Sequence, residues 1–179
     1  MSYLLSTIHG SHLYGTDHDA SDLDYFTVVE KQPYRGGSRP RWSRQTLTSD
    51  ERGAVQDHTM VDMSTFLLGC DKGVPQYLEA MFSSDPMIDR ISEFRSGFRV
   101  GTSVIDTYLR TIKSFSFSDR YDAAKKRRHA LRLAANARSI LECGRFDPRL
   151  SPEQVVEFTE LAKKDPHEVY EMALNIVWN

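Results

Sequence analysis

The chain changes its hydrophobic rhythm once, near residue 90, and that change limits the folds open to it. Before it, short apolar and β-branched runs alternate with turn residues. Residues 3–8 form the first run, which stops at His9-Gly10-Ser11, and a polar stretch from Gly15 to Ser21 follows. Runs at 23–30 and 58–63 have the same character, so three strands are predicted. Ser64 is expected to cap a helix carrying Phe66, Leu67 and Leu68, and Pro75 to start another that runs to Phe82. Beyond the change the spacing is helical: Val104, Ile105, Tyr108, Leu109 and Ile112 share one face. Residues 122–143 are rich in Ala, Arg and Leu and meet a natural stop at Gly144. Ser151-Pro152-Glu153-Gln154 and Asp165-Pro166-His167-Glu168 each spell a capped helix start with Pro in its first position. The prediction is an α/β (α+β) fold, with a core over residues 1–95 and a helical region over 96–179 packed on it.

A chain of 179 residues with 40% hydrophobic and 27% charged side chains reads as an ordinary globular protein of about one domain. Its apolar runs are too short to span a bilayer, and its start lacks the pattern of a signal peptide. Cys70 and Cys143 are too few for a disulfide framework, so reduced thiols and a cytoplasmic location are expected. The net charge of -2 hides an asymmetry. Residues 1–89 hold 7 basic and 13 acidic side chains, and residues 90–179 hold 16 and 12. An acidic first half suits metal-binding carboxylates, and a basic second half suits phosphate partners.

The segment that carries chemistry is Gly10-Ser11, ten intervening residues, then Asp22-Leu23-Asp24. Residues two apart on a strand point the same way, so the Asp22 and Asp24 carboxylates project together. Such a pair calls for a hard cation between them, Mg²⁺ or Mn²⁺. Asp62, between Val61 and Met63, would complete a triad able to hold two ions about 4 Å apart. The alternative for Asp62 is a favourable charge at a helix start, and for Asp22 and Asp24 a solvated turn. Gly10 and Ser11 follow the first strand where backbone N–H groups and a hydroxyl meet phosphate oxygens.

Together, His9-Gly10-Ser11, the spacer and Asp22-Leu23-Asp24 resemble the signature of the DNA polymerase β-like nucleotidyltransferase superfamily. The fuller run from Gly10 to Gly15 with Ser21-Asp22-Leu23-Asp24 is closest to a bacterial and phage branch, some members of which are associated with RNA ligases. Residues 73–79 are similar to that branch's Asn-Pro-x-x-x-Glu segment, with Val74 in place of Asn. Lys125, His129 and Arg132 resemble its Lys…His-x-x-Arg helix, and His12 stands where the branch often has Arg.

The resemblance implies a small mixed sheet carrying a metal site of Asp22, Asp24 and Asp62, in which Asp62 activates the attacking hydroxyl. It also implies that Gly10, Ser11, Lys125, His129 and Arg132 bind the nucleotide. The reaction would move a nucleoside monophosphate from a nucleoside triphosphate to a hydroxyl, with RNA (a tRNA or an RNA end) as the first acceptor, and release pyrophosphate.

Residues 31–53, with two Pro, three Gly and five Arg, are expected to form a long loop. Within that loop Arg35, Arg39, Arg41, Trp42 and Arg44 are candidate RNA contacts, the arginines on phosphates and the indole on a base. Other readings of the chain are transfer to a protein side chain, in the manner of toxin-antitoxin nucleotidyltransferases, and a non-catalytic RNA- or nucleotide-binding module. A zinc site of His9, His12 and His18 matches no common ligand spacing.

Overall fold

The first run forms β1 (Tyr3–His9), and it turns through a short helix α1 (Gly10–Tyr14) toward β2 (Leu23–Val29). The computed structural model describes residues 2–18, 21–30, 43–47, 56–119 and 122–179. β1 and β2 pair antiparallel with Ser6 opposite Thr27 and His9 opposite Asp24. β3 (Ser43–Leu47) lies antiparallel to β4 (Gln56–Asp62), and β4 runs parallel to β2 in a register from Leu23–Gln56 to Val29–Asp62. A two-residue β5 (Ile88–Asp89) pairs antiparallel with β1, giving the sheet order β3-β4-β2-β1-β5. The fold is therefore mixed α/β with a small mixed sheet.

The remaining helices are α2 (Met63–Asp71), α3 (Pro75–Phe82), α4 (Ser92–Gly97), α5 (Ile105–Ser116), α6 (Ala123–Cys143), α7 (Pro152–Leu161) and α8 (Pro166–Trp178). A 3₁₀ turn at Thr102–Val104 leads into α5. The capping signals act as the sequence suggests. The Ser151 hydroxyl accepts from Gln154 N–H while the Gln154 side chain reaches back, Asp165 accepts from His167 N–H, and Gly144 closes α6 in the left-handed region at φ 72°.

Three expectations need correction. The tight turn expected at His9-Gly10-Ser11 is a short helix, α1, which ends before the polar stretch begins at Gly15. The stretch 31–53, expected to be one loop, contains β3. The N-cap of α2 is Asp62 and not Ser64, because the Asp62 carboxylate accepts from Thr65 N–H at 2.7 Å and from the Ser64 hydroxyl at 2.6 Å.

Alternation along the strands sends Leu5, Phe26, Val28 and Val61 into a core shared with Phe66 of α2, Leu78 and Met81 of α3, and Tyr108 and Ile112 of α5. Leu131, Leu133 and Ile140 of α6 and Ala173 of α8 belong to the same cluster. Each fully buried Leu, Ile or Phe contributes roughly 1.5–3 kcal/mol. The two halves of the chain thus bury one another's apolar faces. The Phe26 ring sits edge-on to Tyr77 at 5.3 Å, which seats α3 against the centre of the sheet. Among the described residues no helix is long and apolar enough to cross a membrane.

Candidate functional site

The site begins where β1 ends. Gly10 takes φ +66°, which reverses the chain into α1, and a Cβ there would collide with the Asp24 carboxylate oxygen. Only glycine meets both demands, left-handed backbone and close approach. Gly10→Ala is expected to cost roughly 1–2 kcal/mol from the backbone conformation. It is also expected to push Asp24 from its place, so a lower unfolding midpoint should accompany loss of whatever Asp24 binds.

A cavity of about 600 Å³ opens at this turn. Gly10, Ser11, Asp22 and Asp24 line one wall, and Lys125, His129 and Arg132 of α6 line the facing wall. Seven of the eight residues expected at the site therefore meet around one space. Pro75 and Gln76, at the start of α3, close its edge, with the Gln76 amide 3.5 Å from the Thr59 hydroxyl on β4.

Arg132 and His129 are less free than the expectation of nucleotide contacts suggests. Arg132 is 4% exposed and donates to Glu79 Oε1 at 2.8 Å, with Glu79 only 1% exposed. The guanidinium also stacks 3.6 Å from the centre of the Tyr14 ring. Tyr14 donates its hydroxyl to Glu79 Oε2 at 2.6 Å, and His9 Nε2 lies 3.5 Å from the same oxygen. Burial works to raise the Glu79 carboxyl, but Arg132, His9 and the Tyr14 hydrogen bond hold it below the ordinary range. Burial pushes the His129 imidazole down to about 3, with Arg132 adding to the effect, so His129 is neutral at pH 7. His9 is likewise lowered, chiefly by burial. Arg132 is thus committed to Glu79, His129 carries no charge, and Lys125 is the exposed cation of the α6 wall.

Asp62 does not belong to this site. Its register partner is Val29, at the opposite end of β2 from Asp24. It lies five positions from Asp57, about 16 Å of strand, and the odd interval turns it to the other face. Burial raises its pKa, but the hydrogen bonds from Ser64 and Thr65 leave it lowered overall, as suits a charged helix cap. The residue in register with Asp24 is Asp57, on the adjacent parallel strand and the same face. Of the candidate RNA contacts, Arg35, Arg39, Arg41 and Trp42 lie outside the described residues. Arg44 is on β3, at the sheet edge beyond β4, with Thr59 as its register partner.

Among the described residues no three His, Cys, Asp or Glu side chains converge closely enough to hold a metal ion. The donor set still fits one kind of ion. Mg²⁺ is ordinarily held by one or two carboxylates, with phosphate oxygens and water completing its shell. Asp22 and Asp24 supply hard oxygen donors of that sort at the cavity wall, and Asp57 stands in register with Asp24 on the next strand.

No protein-family model matches the chain, and no curated protein matches it.

Sequence reasoning missed Asp57, Tyr14 and the partner of Glu79. Asp57 was hidden by one residue, because the third strand was expected to begin at His58 and it begins at Gln56. Tyr14 carried no signal, since its role depends on α1 turning it toward α3.

Proposed function

We propose that this chain is a metal-dependent nucleotidyltransferase with a polymerase β-like core. It moves a nucleoside monophosphate from a nucleoside triphosphate to a hydroxyl, with RNA as the acceptor, and releases pyrophosphate. The observation that carries this reading is the contact at the head of the cavity. The glycine turn after β1 presses against Asp24, with Ser11 on the same wall and Asp57 in register on the next strand. Sugar hydrolysis also uses two carboxylates, but it has no use for a hydroxyl-bearing glycine turn facing a basic helix.

Asp22 and Asp24 would hold the divalent ion, and Asp57 takes the place first expected for Asp62. When bound, the ion would neutralise charge on the phosphate oxygens as the α-phosphate is attacked. The chain's own residues do the rest. Asp57 stands on the acceptor side, where a carboxylate takes the proton of the incoming hydroxyl. Ser11 and Lys125 donate to phosphate oxygens across the cavity. His129, kept neutral by burial, offers an N–H or a lone pair but no charge. Glu79 and Arg132 lie beneath and fix α6 against α3. Such transfer is mostly positioning and electrostatics, so rigid placement of these groups is what the protein must provide.

The test is transfer of label from each of four α-labelled nucleoside triphosphates, with Mg²⁺ or Mn²⁺ and total cellular RNA. Wild type is compared with the Asp22→Ala/Asp24→Ala variant, and label is followed in RNA and protein. Metal-dependent label in RNA that vanishes in the variant is the expected result. Label in protein alone would replace RNA as acceptor, and none in either fraction would reject the reaction.

A further inference from the structure

α1 lines the catalytic cavity with Ser11 and Tyr14, and a separate one of about 250 Å³ with His12 and Leu13. That smaller cavity adjoins another of about 600 Å³, since Ser83 and Ser84 line both. The larger one lies between α4, the C-terminal turn of α6 and residues 145–147. Together they form a groove that no residue of the proposed metal or nucleotide site lines.

Three arginines at this groove have no carboxylate partner among the described residues. Arg149 lines the smaller cavity, Arg145 the larger, and Arg99 meets Arg145 on Ser96, which lines the larger as well. The backbone builds that meeting. Val100 N–H donates to the Gly144 carbonyl at 2.8 Å, and a Cβ at Gly144 would stand 3.3 Å from Arg99 Cβ. Both guanidiniums then donate through Nη1 to the Ser96 carbonyl, each at 3.0 Å. Among the described residues Arg99 and Arg145 use no other nitrogen, so most of each five-donor fork is open. Two like charges on one oxygen repel, and an anion beside them reverses the sign of that interaction.

The carboxylates of the groove are engaged elsewhere. Arg95 holds Asp89, Arg138 holds Glu142 at 2.8 Å, His12 faces Asp17 at 3.3 Å, and Asp147 accepts from Arg149 N–H at 2.9 Å. Asp85, in the smaller cavity, is the exception. An exposed aromatic ring completes the surface. Phe94 of α4 is 44% exposed, and its ring is 5.7 Å from Phe98, the residue before Arg99. Cations beside an exposed ring suit a single nucleic-acid strand, with phosphates on the cations and a base on the ring.

We propose that this groove is a second RNA-docking site, where Arg99, Arg145 and Arg149 hold backbone phosphates and Phe94 stacks a base. The inference rests on RNA being the acceptor. The groove borders β1 and β5, whereas Asp57 is on β4, across β2. It therefore takes a part of the RNA distant from the reacting hydroxyl. From His129 at the catalytic cavity to Cys143 in the groove, α6 rises about 21 Å. Stacked nucleotides advance about 3.4 Å each, so the docked stretch lies about six nucleotides from the reacting end.

Fluorescence anisotropy of a dye-labelled, unstructured twelve-nucleotide RNA, without metal or nucleoside triphosphate, tests the groove apart from the reaction. The full-length chain is compared with Arg149→Gln and the Arg99→Gln/Arg145→Gln variant, each checked for an unchanged unfolding midpoint. The exposed Arg99→Gln alone serves if the double variant does not fold. The double variant is expected to bind about tenfold more weakly or worse, and its salt slope to fall by about 1.4, at about 0.7 for each lost phosphate contact. In label transfer it should raise KM for the twelve-nucleotide acceptor with kcat unchanged, and leave a four-nucleotide acceptor as it was. Unchanged RNA affinity and salt slope would overturn the inference. So would an equal rise in KM for both acceptors, or binding of a decaglutamate peptide at the arginines where RNA does not bind. Arginine-dependent RNA binding with no label in RNA would remove the acceptor reading and leave the docking groove standing. Label transfer to RNA with an unchanged KM in the double variant would remove the groove alone.

Discussion

Asp57→Asn is expected to reduce nucleotidyl transfer by at least about a hundredfold, while Asp62→Ala leaves it within a few fold and lowers stability by about 1 kcal/mol. The two substitutions sit five residues apart on one strand and separate two roles. Asp57 shares its register position and face with Asp24, so in the proposed reaction losing its charge would remove the group that takes the acceptor's proton. Asp62 is bonded to Thr65 N–H and the Ser64 hydroxyl, so losing it uncaps α2. The measurement is initial rate of label transfer beside urea unfolding for each variant. Full activity in Asp57→Asn, or its abolition in a stable Asp62→Ala, would return the third carboxylate to Asp62.

Arg132→Met should cost about 3–5 kcal/mol, since it strands the Glu79 carboxylate in the core. For a chain of this size that corresponds to an unfolding midpoint lower by roughly 10 °C. Adding Glu79→Leu to Arg132→Met should restore much of the loss, because replacing a whole buried pair is far milder than breaking it. No recovery would mean that packing around Tyr14, and not the charge, sets the cost.

The same region makes the protein acid-sensitive. His9 and His129 are depressed by burial, His129 to about 3, so below pH 6.5 the unfolded chain binds protons that the native state refuses. Their contribution is complete above pH 6.5 and is lost as pH falls, at up to about 1.4 kcal/mol per pH unit for each histidine. Glu79, also depressed, contributes above the ordinary carboxylate range and loses its share as pH falls through its own lower value. Stability measured in urea at pH 7, 6 and 5 should therefore decline steadily. His129→Gln should flatten that slope by about one proton's worth, and an unchanged slope would mean that His129 titrates normally.

Much of the architecture was legible because its signals are local. Pro75, Ser151, Pro152 and Asp165 mark helix starts through chemistry within a turn, and Gly144 marks an end in the same way. Gly10, Ser11, Asp22 and Asp24 were legible as a set for a similar reason, since they flank a single strand-to-strand connection. What was not legible depends on register. Whether Asp57 or Asp62 meets Asp24 is decided by where β4 starts against β2, and no local propensity encodes that parallel pairing. Glu79 and Arg132 are 53 positions apart, and neither residue type announces a buried partner. β3 was missed because five arginines and scattered glycines outweighed a five-residue strand.

The parallel pairing of β2 with β4 has a consequence for the order of folding events. Leu23 and its partner Gln56 are 33 positions apart, and the antiparallel partners His9 and Asp24 only 15. Loop-closure entropy grows with that separation, and contacts of long range form late. The hairpin of β1 and β2 and the helices after residue 100 consist of short-range contacts, so they close first. The pairing that carries Asp57 to Asp24 therefore locks after that hairpin, and the β1–β5 pairing, with Leu5 and Asp89 84 positions apart, later still. A partly folded chain therefore forms the glycine turn and the Asp22/Asp24 pair before Asp57 stands beside Asp24.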